Sequence, residues 1–102
     1  MIIVDTNILF GWFWEGSVHQ RLLKDLQGLH IPQKAIEELE KYRKEICKKT
    51  GIDTRAFNDK KEELTTTIKI EKRQTYQHMM NKAADISPYP GDIEFFAACL
   101  AN

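Results

Sequence analysis

Met1-Ile2-Ile3-Val4-Asp5-Thr6-Asn7-Ile8-Leu9-Phe10 opens the chain, and its reading decides the fold. Ile2, Ile3 and Val4 are β-branched and suit a strand buried in a parallel sheet. Asp5 then falls at the carboxyl end of that strand, the edge along which open α/β sheets bind ligands. A carboxylate there is costly unless something positive offsets it. Two roles stay open on this stretch alone. Asp5, or Thr6 beside it, caps the next helix, or Asp5 is a metal ligand.

The chain has 102 residues, enough for one domain and a modest core. Its 42% apolar and 29% charged residues are ordinary for a globular protein. The formal net charge is zero, so the basic excess that marks many nucleic-acid binders is missing. That argues against tight, nonspecific binding to duplex DNA. It leaves room for a nuclease, whose metal ions bring positive charge of their own. Cys47 and Cys99 lack CxxC spacing, so no zinc or redox motif is expected. They read as reduced, partly buried thiols of a cytoplasmic protein. A cleavable leader and a membrane span are not expected, because no basic segment precedes an apolar stretch and no run of about 18 apolar residues occurs.

Along the chain, Thr6 to Trp14 reads as a short helix, with Trp12, Phe13 and Trp14 packing in a core or interface rather than stacking on bases. Ser17 and Gln20 fit a capping box, and Gly28 closes the helix that follows. Leu29 to Pro32 is a second strand. A long helix from Gln33 to Lys49 carries Ala35, Ile36, Leu39, Tyr42 and Ile46 as its apolar stripe, with Glu38 at the stripe's edge. A helix from Arg55 to Leu64, a third strand from Thr65 to Ile70 and a helix from Arg73 to Ile86 come next. Ser87-Pro88-Tyr89-Pro90-Gly91 is the clearest loop. It delivers Asp92 to a final, almost wholly apolar helix ending near Leu100. Strands alternating with helix pairs predict an α/β fold of three layers, a parallel sheet with helices on both faces.

Right-handed crossovers bring Asp5, Glu38 and Asp92 toward one edge of such a sheet. Clustered carboxylates repel one another unless a cation joins them. Oxygen ligands suit Mg²⁺ or Mn²⁺, and a carboxylate-held ion at a sheet edge is an arrangement for phosphodiester hydrolysis.

The combination resembles a PIN domain, the ribonuclease fold of VapC-type toxins. The resemblance rests on Val4-Asp5-Thr6-Asn7, on Glu37-Glu38-Leu39-Glu40-Lys41-Tyr42 and on Pro90-Gly91-Asp92 with the apolar helix after it. It implies three acidic metal ligands at Asp5, Glu38 and Asp92, with Thr6 and Asn7 as polar supports for the metal or the phosphate. Glu37 is the alternative to Glu38 if the register slips, and Glu94 should face elsewhere. The implied function is a Mg²⁺- or Mn²⁺-dependent endoribonuclease, the toxin of a toxin–antitoxin pair, with RNA and an antitoxin protein as partners. The family usually continues into a further strand, often ending in a fourth aspartate. Residues 1–102 therefore read as a PIN-like domain incomplete at its C-terminus, with one edge of the first strand uncovered. That predicts a homodimer or higher assembly. It also keeps a second class of function in play, a catalytically inactive remnant acting as a binding or self-assembly module.

Overall fold

Leu29-His30-Ile31-Pro32 forms the middle strand of a parallel three-stranded sheet with the order β1-β2-β3. The computed structural model describes residues 2–102. Met1 and the side chain of Ile2, both in the opening stretch, lie outside that description. β1 (Ile2–Ile3) pairs with β2 (Leu29–Pro32) through Ile2 opposite Leu29 and Ile3 opposite His30. The Val4 N–H, donating to the His30 carbonyl at 3.0 Å, carries the ladder one residue further. β3 (Lys69–Glu71) pairs with the other side of β2, with Ile31 opposite Ile70. The fold class is α/β, and helices make up most of the chain.

Alternate strand residues face opposite sides of a sheet, and here they enter separate cores. Val4, Leu29 and Ile31 join Leu9, Trp12, Phe13, Leu23, Leu39, Phe57 and Leu64. Ile3 packs instead against Tyr76, Ala83, Ala97 and Ala98. Trp12 is fixed by its indole N–H, which donates to the Lys60 carbonyl at 2.8 Å. Phe13 stacks on Phe57 with ring centroids 4.7 Å apart.

After β1, α1 (Thr6–Phe10) is capped by Asp5, whose Oδ1 accepts the Ile8 N–H at 3.0 Å. The helix expected to reach Trp14 ends at Phe10 and tightens into a 3₁₀ turn over Gly11–Phe13. That turn drives Trp12 and Phe13 inward and leaves Trp14 outside, 54% exposed. α2 (Val18–Asp25) starts at Ser17, which accepts the Gln20 N–H and donates to the Gly11 carbonyl at 2.6 Å. The Gln20 side chain reaches back to the Gly16 N–H, not to that of Ser17. The helix stops before Leu26, and Gly28 serves as a left-handed turn residue, φ 73°, ahead of β2. Ser17→Ala removes a cap and a link to the 3₁₀ turn, so it should cost about 1 kcal/mol in denaturant unfolding. A variant as stable as the parent would show the cap to be dispensable.

The long helix expected from Gln33 to Lys49 is two helices, α3 (Gln33–Lys41) and α4 (Arg43–Thr50). They break at Tyr42, φ −100° and ψ 14°. No glycine or proline marks the break. Tyr42 packs edge-on against Phe10, centroids 6.0 Å apart, while Ile46 on α4 enters the core. α5 (Thr54–Thr67), capped by Asp53, is instead the longest helix, at 14 residues. It absorbs the first half of the expected third strand, Thr65 to Thr67. The threonine run looks like a strand because it is β-branched, but each hydroxyl finds a helix carbonyl. Thr65 donates to Glu62, and Thr66 and Thr67 donate to Glu63. After β3, the expected continuous helix is α6 (Arg73–Tyr76), a 3₁₀ turn over Gln77–Met79 and α7 (Met80–Ile86). A 3₁₀ turn at Pro90–Asp92 then leads into α8 (Ile93–Ala101). Ala97 and Ala98 of α8 are buried, whereas Phe96 and Cys99 are exposed. The expectation of a partly buried Cys99 is therefore corrected. No helix among the described residues is long and apolar enough to cross a membrane.

Candidate metal and phosphodiester site

Asp5, Thr6, Asn7, Glu38 and Asp92 come together, with Gly91 and Phe95, around one small cleft of about 110 Å³. Three separate pieces of sequence build it. The end of β1 hands over Asp5 and the first turn of α1. The middle of α3 supplies Glu38, half-buried. The loop before α8 supplies Gly91 and Asp92. Lys34 on α3 ties that loop down by donating to the Gly91 carbonyl at 3.1 Å.

Each carboxylate has an ordinary structural role open to it, and the three differ in how far they use it. Asp5 does cap α1, but with one oxygen only. Asp92 sits at the head of α8 and makes no capping hydrogen bond at all. Glu38 makes no side-chain hydrogen bond or ion pair among the described residues. The contrast with the neighbouring glutamates is informative. Glu15, Glu37, Glu40, Glu45, Glu71 and Glu94 each have a cationic partner or a histidine within 4.0 Å. Among the described residues, Asp5, Glu38 and Asp92 have none, as is also true of the exposed Asp25, Asp53, Asp59, Asp85, Glu62 and Glu63; what sets the three apart is that they share one cleft.

Thr6 adds an independent sign. It is 7% exposed, and its Oγ1 is buried without a hydrogen-bond partner. Buried polar atoms are nearly always satisfied, so an orphan beside three uncompensated carboxylates needs an account. An all-oxygen donor set of this composition is that of a hard divalent cation. The carboxylates line the cleft without closing on a common point, and among the described residues no three acidic, His or Cys side chains converge as a finished ligand shell. The chemistry of the set fits Mg²⁺ or Mn²⁺.

Glu37 and Glu94, the two acidic residues next to the site in sequence, are engaged elsewhere. Arg73, just after β3, donates to both Glu37 oxygens at 2.6 and 3.2 Å and to Glu94 Oε1 at 2.8 Å. The Tyr76 hydroxyl donates to Glu94 Oε1 at 2.7 Å. Gln33 joins in, accepting the Arg73 N–H and donating to Glu37. The hydrogen bonds from Arg73 hold the Glu37 carboxyl below its usual range. The paired carboxylates hold the Arg73 guanidinium even more firmly protonated than usual. Burial first, and the bond to Glu94 second, push the Tyr76 phenol up. This network clamps α3, which carries Glu38, to α8, whose N-terminus Asp92 precedes. Sequence reading passed over Arg73. Nothing in the sequence singles Arg73 out from the other basic residues, because its partners lie on α3 and α8.

A family model described as PIN domain matches residues 3–102. No curated protein and no solved structure matches the chain. The match spans all three segments that build the cleft, and PIN domains are generally nucleases that act on RNA. With the parallel sheet, the crossover helices and the gathered carboxylates already in place, the chain belongs to the PIN domain family.

Proposed function

We propose that the chain is a metal-dependent endoribonuclease that hydrolyses RNA phosphodiesters at the Asp5–Glu38–Asp92 cleft. One observation carries this reading. Three carboxylates from distant segments line a single cleft without cationic partners, beside the orphaned Thr6 hydroxyl. Asp5, Glu38 and Asp92 would hold Mg²⁺ or Mn²⁺, which when bound supplies an activated water and neutralises charge on the phosphate. Thr6 offers its free hydroxyl to the metal's water or to a phosphate oxygen. Asn7, exposed on the first turn of α1, offers an amide to the same phosphate. Lys34 holds the Gly91 loop, and so Asp92, against α3.

Finer readings accompany this one. The two cores on opposite faces of the sheet support the three-layer arrangement. The free thiols of Cys47 and Cys99 suit a reducing cytoplasm. Exposed Phe96 on α8 and the outer edge of β1 support a homodimer or capture of a protein partner, as a toxin paired with an antitoxin would require.

The test is cleavage of an end-labelled single-stranded RNA by the chain with Mn²⁺, with Mg²⁺ and with EDTA. Cleavage with either metal, abolished by EDTA and restored by excess Mn²⁺, is expected. A folded protein that binds neither metal and cleaves nothing would overturn the enzyme reading and leave a binding or assembly module.

A further inference from the structure

We infer that the aromatic hollow beside α1 and α4 holds one nucleobase of the RNA strand whose backbone crosses the carboxylate cleft. The identity of the strand rests on the ribonuclease reading above; the hollow itself does not. It encloses about 310 Å³ and is lined by Phe10, Gly11, Trp14, His19, Tyr42 and Lys49, among others. That lies at the small end of ligand pockets, roughly 300–1,000 Å³, and suits a single flat ring system.

Its walls are those of a stacking site. Trp12 and Phe13 are spent on the core, but Trp14 keeps 54% of its surface exposed. Phe10 and Tyr42 meet edge to face at 6.0 Å. His19 closes down on Gly11 so tightly that a Cβ there would stand 2.4 Å from the histidine's own. Lys49, 66% exposed, pairs with Glu45 at 3.1 Å, and both line the hollow, so the rim carries a cation and a carboxylate side by side. Aromatic faces beside a lysine are how single strands are held without sequence readout.

Placement ties the hollow to the cleft. Thr6 and Asn7 of α1 line the cleft, and Phe10 at the end of the same helix lines the hollow. Glu38 lines the cleft, and Tyr42, one turn on, lines the hollow. Both pairs are about 6 Å apart along their helices, the scale of one nucleotide step. A base in the hollow would therefore register a neighbouring phosphate over the carboxylates.

The test uses Asp5→Asn as a non-cleaving background and follows the fluorescence anisotropy of a labelled single-stranded RNA of mixed sequence. Adding Trp14→Ala should weaken binding about tenfold, and adding Trp14→Phe should change it by less than about twofold. An otherwise identical oligonucleotide carrying abasic positions should bind the background and its Trp14→Ala derivative equally. Trp14 lies outside the core, so its replacement should leave the circular dichroism spectrum and melting point in place. Unchanged RNA affinity in the Trp14→Ala derivative would overturn the inference, as would a background protein with no affinity for the RNA. So would a Trp14→Ala protein that keeps its RNA affinity but loses self-association in sedimentation, which would make the hollow a protein contact. Metal-dependent cleavage by the wild-type chain decides the ribonuclease reading separately.

Discussion

Asp5→Asn should lower metal-dependent RNA cleavage by at least about a hundredfold while moving the melting point by no more than about 1–2 °C. The two halves of that expectation come from the two jobs of the side chain. Asparagine caps helices about as well as aspartate, so the bond to the Ile8 N–H survives the change. What goes is the anionic oxygen facing the cleft. Loss of a group that merely supports a metal ligand costs about 10–100-fold, and a ligand should cost at least as much. Asp5→Ala should lose the same activity and, in addition, about 1 kcal/mol of stability from the missing cap. Were Asp5 only a cap, the order would reverse, with Asn harmless in every assay and Ala affecting stability alone.

Asp92→Asn sharpens the comparison because Asp92 makes no capping bond. Removing its charge takes one like charge away from Asp5 and Glu38, so stability should hold or rise slightly as cleavage falls. Lost activity with retained or improved stability is the mark of a residue kept for function. Thermal melts and Mn²⁺-dependent cleavage of Asp5→Asn, Glu38→Gln and Asp92→Asn would settle the matter. Wild-type cleavage by all three would remove these carboxylates from the chemistry.

That Asp5, Glu38 and Asp92 gather at one cleft was easier to read from the sequence than the elements between them. Asp5, Glu38 and Asp92 sit at a strand end, in the middle of a crossover helix and at a loop-to-helix junction, places that an α/β topology brings to one sheet edge. The topology does not depend on where the intervening helices bend. Those bends are set by contacts between residues far apart in the chain. Tyr42 stands at a break with no local breaker, and its ring packs edge-on against Phe10, far back in the chain. Thr65, Thr66 and Thr67 have strand character by shape but satisfy their hydroxyls inside α5. Trp12, Phe13 and Trp14 read as one aromatic block, yet the 3₁₀ turn sends two inward and one out. Arg73 could not be ranked among fifteen basic residues until its partners on two other helices were known.

Arg73→Gln is expected to cost the fold about 2 kcal/mol, less than breaking a fully buried pair because the guanidinium is 36% exposed, out of the roughly 5–15 kcal/mol available to a domain. The loss is larger than that of an exposed ion pair because of what remains. Glu94 is only 13% exposed at its side chain, and without the guanidinium its carboxylate keeps just the Tyr76 hydroxyl. A half-buried charge with one hydrogen bond is a poor state. Removing that charge as well, in Arg73→Gln/Glu94→Gln, should recover part of the loss, and a double-mutant cycle would measure the coupling. The pH dependence has a definite sign. Glu37 is held below its ordinary 4.5 by Arg73, so this contribution is full above about pH 4.5 and disappears as pH falls through the lower folded value. Arg73→Gln should therefore flatten the acid side of the stability curve. Tyr76 runs the other way. Its pKa is raised above 10.0, so its contribution is full below pH 10 and fades as pH rises through the folded value, an alkaline loss that Tyr76→Phe should remove. Because the network clamps α3, which bears Glu38, to α8, which Asp92 precedes, Mn²⁺ affinity measured on folded Arg73→Gln at low temperature should also fall. Equal stability and equal Mn²⁺ affinity in the variant would reduce the cluster to a surface ion pair with no hold on the site.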